Sequence, residues 1–153
     1  MVVDTCSKQQ VLEWLANVPD PEIPVLSILD LGIVRGVEVD EVVTVTLTPT
    51  YSGCPATEAI EASVMDALKG HGVDEIVIHR ALSPAWTTDW ITVEGRRKLL
   101  EYGIAPPSPS LDIACPQCKS LKTELVSEFG STACKASWRC CDCLEPFEYF
   151  KCL

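Results

Sequence analysis

The chain has 153 residues, a formal net charge of -10 and nine cysteines. Its apolar share of 47% is ordinary for a folded domain, so disorder is not the default. The acid excess, 22 Asp and Glu against 12 Lys and Arg, argues against nucleic acid, whose phosphates demand basic residues. No apolar run approaches a membrane span. Met1 to Ser7 lacks the basic start and apolar run of a secretory signal, so a cytoplasmic location is expected. In that compartment clustered cysteines mean metal or redox chemistry rather than structural disulfides.

Ser7 to Val18 predicts a first helix, with Val11, Leu12 and Leu15 on one face and Ser7 as its N-cap. Asp20-Pro21-Glu22-Ile23-Pro24 cannot continue it, because two prolines this close exclude a helix interior. Asp20, Glu22 and Asp30 are read as solvated or capping carboxylates. Ile33 to Val39 and Val42 to Thr48 alternate as strands and pair as a hairpin around Asp40-Glu41.

Thr48 to Ile60 carries the most informative local pattern. Pro55 stands at a predicted first helical position, and Cys54 stands just before it. A cysteine at a helix N-terminus meets free N–H groups and the positive end of the helix dipole, which favour the thiolate. A thiolate binds metal or attacks electrophiles. The competing reading is a small packed residue at a tight turn. The helix runs from Pro55 to Lys69 through Ile60, Val64 and Leu68, and Gly70-His71-Gly72 closes it. His71 and His79 are isolated and read as structural or solvated.

Glu75 to Ala81 is a third strand. Trp86 and Trp90 bracket a polar loop, serving either as caps on the sheet core or as interface anchors. Val93 to Tyr102 is a third helix bearing Arg96-Arg97-Lys98, read as a solvated face. The fold class is α+β: a small three-stranded sheet covered by helices, followed by an all-β ribbon. Ala105 to Ser110 holds three prolines within four residues and reads as a semi-rigid linker. Domains are therefore expected at 1–105 and 112–153, joined by residues 106–111.

Cys115-Pro116-Gln117-Cys118 and Cys140-Cys141-Asp142-Cys143 are two C-x-x-C knuckles 21 residues apart. Each offers two thiolates from one turn, and two facing turns complete a tetrahedron. Strands are predicted at Leu121–Phe129, Thr132–Arg139 and Pro146–Lys151. A piece of about 40 residues needs such a staple. Structural Zn2+ on Cys115, Cys118, Cys140 and Cys143 is the expectation. Two disulfides, or a rubredoxin-like iron, are the alternatives. Cys134 could replace a ligand, and Cys141 makes the second knuckle's register ambiguous. Cys6 and Cys152, near the ends, receive no role.

Asp20-Pro21-Glu22-Ile23-Pro24, Ile28-Leu29-Asp30-Leu31-Gly32-Ile33-Val34, Thr48-Pro49-Thr50 and Gly53-Cys54-Pro55 together resemble the SufT-like domain of iron–sulfur assembly factors. Pro84 to Ile91, Gly95 to Leu99, Tyr102-Gly103-Ile104, Glu128 to Ala136 and Glu145-Pro146-Phe147 resemble the PaaD (PaaJ) family, encoded with bacterial phenylacetyl-CoA epoxidase. Cys141 departs from that family's simpler second knuckle. The resemblance implies an accessory subunit rather than an enzyme, serving a multicomponent diiron monooxygenase of phenylacetate catabolism. It implies that Cys54 holds iron or an iron–sulfur cluster transiently, with the oxygenase and reductase components and the iron–sulfur assembly machinery as partners. One cysteine is too few for a stable cluster, so a homodimer or a partner thiol is implied. Two other functions stay open: a docking subunit using the ribbon and the Trp86/Trp90 loop, and electron transfer through an iron-loaded ribbon. Nothing in the sequence pairs a nucleophile with a base, and no glycine-rich phosphate loop is present.

Overall fold

The structure, a computed structural model, describes residues 6–50, 56–108, 110 and 112–152. It divides into two compact units, Met1–Thr92 and Val93–Leu153. The second unit takes in ten helical residues and a short strand that precede the proline-rich stretch from which the sequence draws its boundary.

The first unit opens with α1 (Lys8–Leu15), whose N-cap is Ser7. The Ser7 hydroxyl accepts from the Gln10 N–H, and the Gln10 side chain accepts from the Ser7 N–H. The helix ends short of Val18. Pro19 disfavours helical backbone at the residue before it, and the N–H groups of Asn17 and Val18 turn back to Trp14 and Leu15. Next, β1 (Val34–Val39) and β2 (Val43–Leu47) pair antiparallel. After β2 the chain enters α2 (Ala56–Gly70) and returns as β3 (Ile76–Arg80), parallel to β2. The order is β1-β2-β3.

On β2 the alternation resolves cleanly: Val43, Val45 and Leu47 are buried and Thr44 and Thr46 are not. Ile60, Val64 and Leu68 of α2 and Val11 and Leu15 of α1 complete this core. At the end of α2, Gly72 adopts φ +87 while Val73 and Gly72 donate to the carbonyls of Leu68 and Lys69. That is a Schellman closure.

The acidic, proline-rich stretch folds into two side-chain-capped turns. The Asp20 carboxylate accepts from the N–H groups of Glu22 (2.9 Å) and Ile23 (2.7 Å). Asp30 accepts from the Ser27 N–H at 3.0 Å, and the Ser27 hydroxyl accepts from the Asp30 N–H at 3.1 Å. Both carboxylates are buried, so their work is to satisfy backbone donors where regular structure is absent.

These turns receive residues 86–92. Trp86 is buried and its indole N–H donates to the Leu31 carbonyl at 2.7 Å. The Thr92 N–H donates to the Asp30 carbonyl. Trp90 lies in a short 3-10 turn, Thr88–Trp90, with the Arg35 guanidinium 3.7 Å from its ring centroid. Between them sits Gly32, at φ +71, where an added Cβ would collide with the Trp90 carbonyl oxygen. Of the two readings of the tryptophans, burial in the core is the one realised for Trp86.

The second unit contains α3 (Val93–Tyr102), β4 (Ile104–Ala105), β5 (Thr123–Ser127), β6 (Lys135–Cys140) and β7 (Pro146–Phe150). Its sheet has the order β4-β7-β6-β5, with β4 parallel to β7 and the other pairs antiparallel. Two-residue β4 shows no alternation, so its pairing escapes sequence reading. In the basic run of α3, Arg97 pairs with Glu94 and Glu101 of the same helix, and Arg96 donates to the Pro107 carbonyl.

Gly32 and Gly72 give a matched test. Gly72 has open space where a Cβ would go, so Gly72→Ala carries only the left-handed backbone cost, about 1 kcal/mol. Gly32→Ala adds a clash with Trp90 backbone, and a loss of roughly 3 kcal/mol or more is expected. Urea denaturation read by tryptophan fluorescence compares the two; equal losses would show that the Gly32–Trp90 contact is not a constraint.

Candidate metal centre

The two C-x-x-C segments fold alike. The N–H of Cys115 donates to the Ser120 carbonyl and that of Cys140 to the Glu145 carbonyl, five residues on in both cases. The residue after the second cysteine of each, Lys119 and Leu144, has φ 66. Neither is glycine, so both turns carry a backbone cost of about 1–2 kcal/mol. Such a cost persists only where something else fixes the turn. The knuckles are tied together by the Cys141 N–H donating to the Lys122 carbonyl (2.7 Å) and by the Ser120 hydroxyl on the Asp142 carboxylate.

This brings the Sγ atoms of Cys115, Cys118, Cys140 and Cys143 within 4.8 Å of one another. Across the group, Cys115 and Cys143 are 3.7 Å apart and Cys118 and Cys140 are 3.5 Å apart. A tetrahedral ion with metal–sulfur bonds of about 2.3 Å needs sulfurs roughly 3.8 Å apart. Disulfide sulfurs sit at about 2.05 Å, so the pairwise-bridge alternative does not match. The donor set therefore fits a four-thiolate ion. Cys115 and Cys140 are fully buried, in a cluster with Ile113, Phe147, Tyr149 and Ala105, while Cys118 and Cys143 face solvent.

Thiols of the group differ in their acidity. The Cys143 N–H, working against burial, and then the Asp142 N–H lower the Cys140 thiol to about 7. For Cys143 the Glu145 N–H acts downward. Burial and the thiols of Cys140, Cys115 and Cys118 outweigh it and push Cys143 up to about 12. Four thiolates this close repel one another unless a cation sits among them.

Neither of the two competing cysteines joins the group. Cys141 is exposed, and Cys134 is buried with its sulfur 3.0 Å from the Thr132 hydroxyl. Cys134 lies in the turn before β6, organised by Glu148. That carboxylate accepts from the Ser131 N–H at 2.8 Å and pairs with buried Lys135 at 3.5 Å. Glu148 also occupies the space a Cβ on Gly130 would need. Cys54 lies outside the described residues, in the chain between β2 and α2. Among the described residues the four-cysteine group is the one cluster able to hold a metal, and no helix is long and apolar enough to cross a membrane.

Comparison with known proteins matches both units. The family model described as the PaaD zinc beta ribbon domain matches residues 104–151, and that described as an iron–sulfur cluster assembly protein matches residues 8–77. A relative from Escherichia coli (strain K12), named as a subunit of 1,2-phenylacetyl-CoA epoxidase, is 50% identical, covering 97% of each chain. The chain belongs to the PaaD family. An Fe-S protein maturation auxiliary factor from Porphyromonas gingivalis (strain ATCC BAA-308 / W83) is 36% identical over 63% of this chain and 91% of its own. Among solved structures, a domain of unknown function from Bacillus anthracis aligns with TM-score 0.57 and 27% identity. It covers 60% of this chain and 90% of its own. A conserved protein from Thermotoga maritima aligns with TM-score 0.54 and 31% identity, covering 62% and 95%.

If the four thiolates hold an ion, its removal should unfold the ribbon, because structural zinc supplies on the order of 10 kcal/mol to such modules. Chelation at pH 7 is expected to collapse the NMR dispersion of β5–β7. Cys118→Ser or Cys143→Ser is expected to lower bound metal from about one ion per chain to near zero, and Cys141→Ala to leave it unchanged. Full metal content in both serine variants would refute the ligand set.

Proposed function

We propose that this protein is an accessory subunit of the phenylacetyl-CoA epoxidase system that takes part in assembling or delivering its iron or iron–sulfur cofactor. In this reading Cys54 holds the metal cargo transiently, and the ribbon is a structural zinc module on Cys115, Cys118, Cys140 and Cys143. The supporting observation is end-to-end similarity to the Escherichia coli epoxidase subunit, with an iron–sulfur assembly model matching the part that contains Cys54. The two maturation factors from Porphyromonas gingivalis and Bacillus subtilis, 36% and 35% identical, lend weight to the same role.

The physical argument for Cys54 is its place in the chain, two residues before α2 begins at Ala56. The first turn of α2 carries Glu58 rather than a cation, so the helix N-terminus itself is the source of any thiolate stabilisation from this helix. Client transfer calls for a thiolate that binds weakly and lets go. A four-cysteine cage with a completed tetrahedron does not offer that. The docking-subunit reading loses one of its anchors, since Trp86 is buried and hydrogen-bonded within its own unit.

The test is metal and sulfide analysis with a visible spectrum on anaerobically purified wild type and Cys54→Ala, before and after reconstitution with ferrous iron and sulfide. Both proteins are expected to hold about one zinc per chain, with iron and sulfide uptake confined to wild type. Identical uptake by both, together with an active epoxidase when the variant replaces wild type in co-expression, would overturn the role of Cys54. A red protein with iron in place of zinc would instead favour an electron carrier.

A further inference from the structure

The four cysteines of the cage are not equivalent. Cys115 and Cys140 are fully buried, while Cys118 and Cys143 are exposed. The Cys140 sulfur also accepts the N–H groups of Asp142 and Cys143, both at 3.4 Å. Burial and donated N–H groups hold back a thiolate's electron pair, whereas exposure opens it to an oxidant. The two exposed sulfurs come one from each knuckle and lie within 4.8 Å of each other. A disulfide holds its sulfurs at about 2.05 Å, so this pair starts close to bonding distance. A third exposed thiol stands beside them in the chain. Cys141 lies between Cys140 and Cys143, with its N–H held by the Lys122 carbonyl, and its sulfur is not gathered with the other four.

We propose that Cys118 and Cys143 form a peroxide-sensitive switch in the ribbon. One exposed thiolate attacks hydrogen peroxide: an S–O bond forms, the O–O bond breaks and hydroxide leaves. The other attacks the sulfenic sulfur so made: the S–S bond forms, the S–O bond breaks and a second hydroxide leaves. Peroxide gains the two electrons that the sulfurs lose. Only the two buried thiolates then remain, too few for a closed four-coordinate site. The ion leaves, the ribbon loses its staple, and a thiol reductant reverses the change. Oxidation differs here from exchange, because it removes the ligands instead of competing for the ion. The proposal rests on the reading of the ribbon as a structural zinc module.

The test treats the full-length, reduced, zinc-loaded protein with hydrogen peroxide and follows zinc release with a chromogenic chelator. About one zinc per chain is expected to be released. A Cys118–Cys143 linked peptide is expected in the digest, with Cys115 and Cys140 still open to alkylation after denaturation. Dithiothreitol with zinc is expected to restore the NMR dispersion of β5–β7. Cys141→Ala is expected to release zinc at a rate within about twofold of wild type. Failure of the reduced protein to load zinc would refute the module itself, whereas protein that keeps its zinc through the treatment would overturn the switch alone. A Cys141–Cys143 link, with release slowed in Cys141→Ala, would overturn the assignment of the pair.

Discussion

Four sulfur atoms held within 4.8 Å of one another are the constraint on which the second unit depends. A piece of about 60 residues buries too little apolar surface to fold securely without a staple. Here the staple also organises the core, because Cys115 and Cys140 are themselves buried members of the cluster with Phe147 and Tyr149. The paired left-handed residues Lys119 and Leu144 show what the cage costs locally. Both turns bend against ordinary backbone preference so that their sulfurs converge.

The first unit solves a different problem. Its sheet has three strands, and much of the chain around it is turn. Buried Asp20 and Asp30 take the place of regular hydrogen bonding in those turns, and residues 86–92 close over them through Trp86 and Gly32. Asp20 and Asp30, which the sequence leaves as either solvated or capping carboxylates, thus cap backbone N–H groups. That leaves the chemistry proposed for this unit with Cys54.

The two units therefore divide the labour proposed here by the strength with which they would hold metal. A complete four-thiolate cage suits permanence, while a single thiolate at a helix start suits exchange.

The three-stranded sheet, the helix α2 and the two knuckles were all legible in the amino-acid sequence. Each rests on a local rule: period two on Val43, Val45 and Leu47, a four-residue repeat on Ile60, Val64 and Leu68, and C-x-x-C spacing. The preference for Cys140 over its neighbour Cys141 was set by spacing, since one residue between Cys141 and Cys143 pinches the turn, and the folded chain gathers the Cys140 sulfur with those of Cys115, Cys118 and Cys143. The fate of Trp86, the pairing of two-residue β4 with β7, and the left-handed Gly32 beneath Trp90 came only with the folded chain. Those features join residues tens of positions apart. A periodicity confined to one segment carries no information about what that segment will meet.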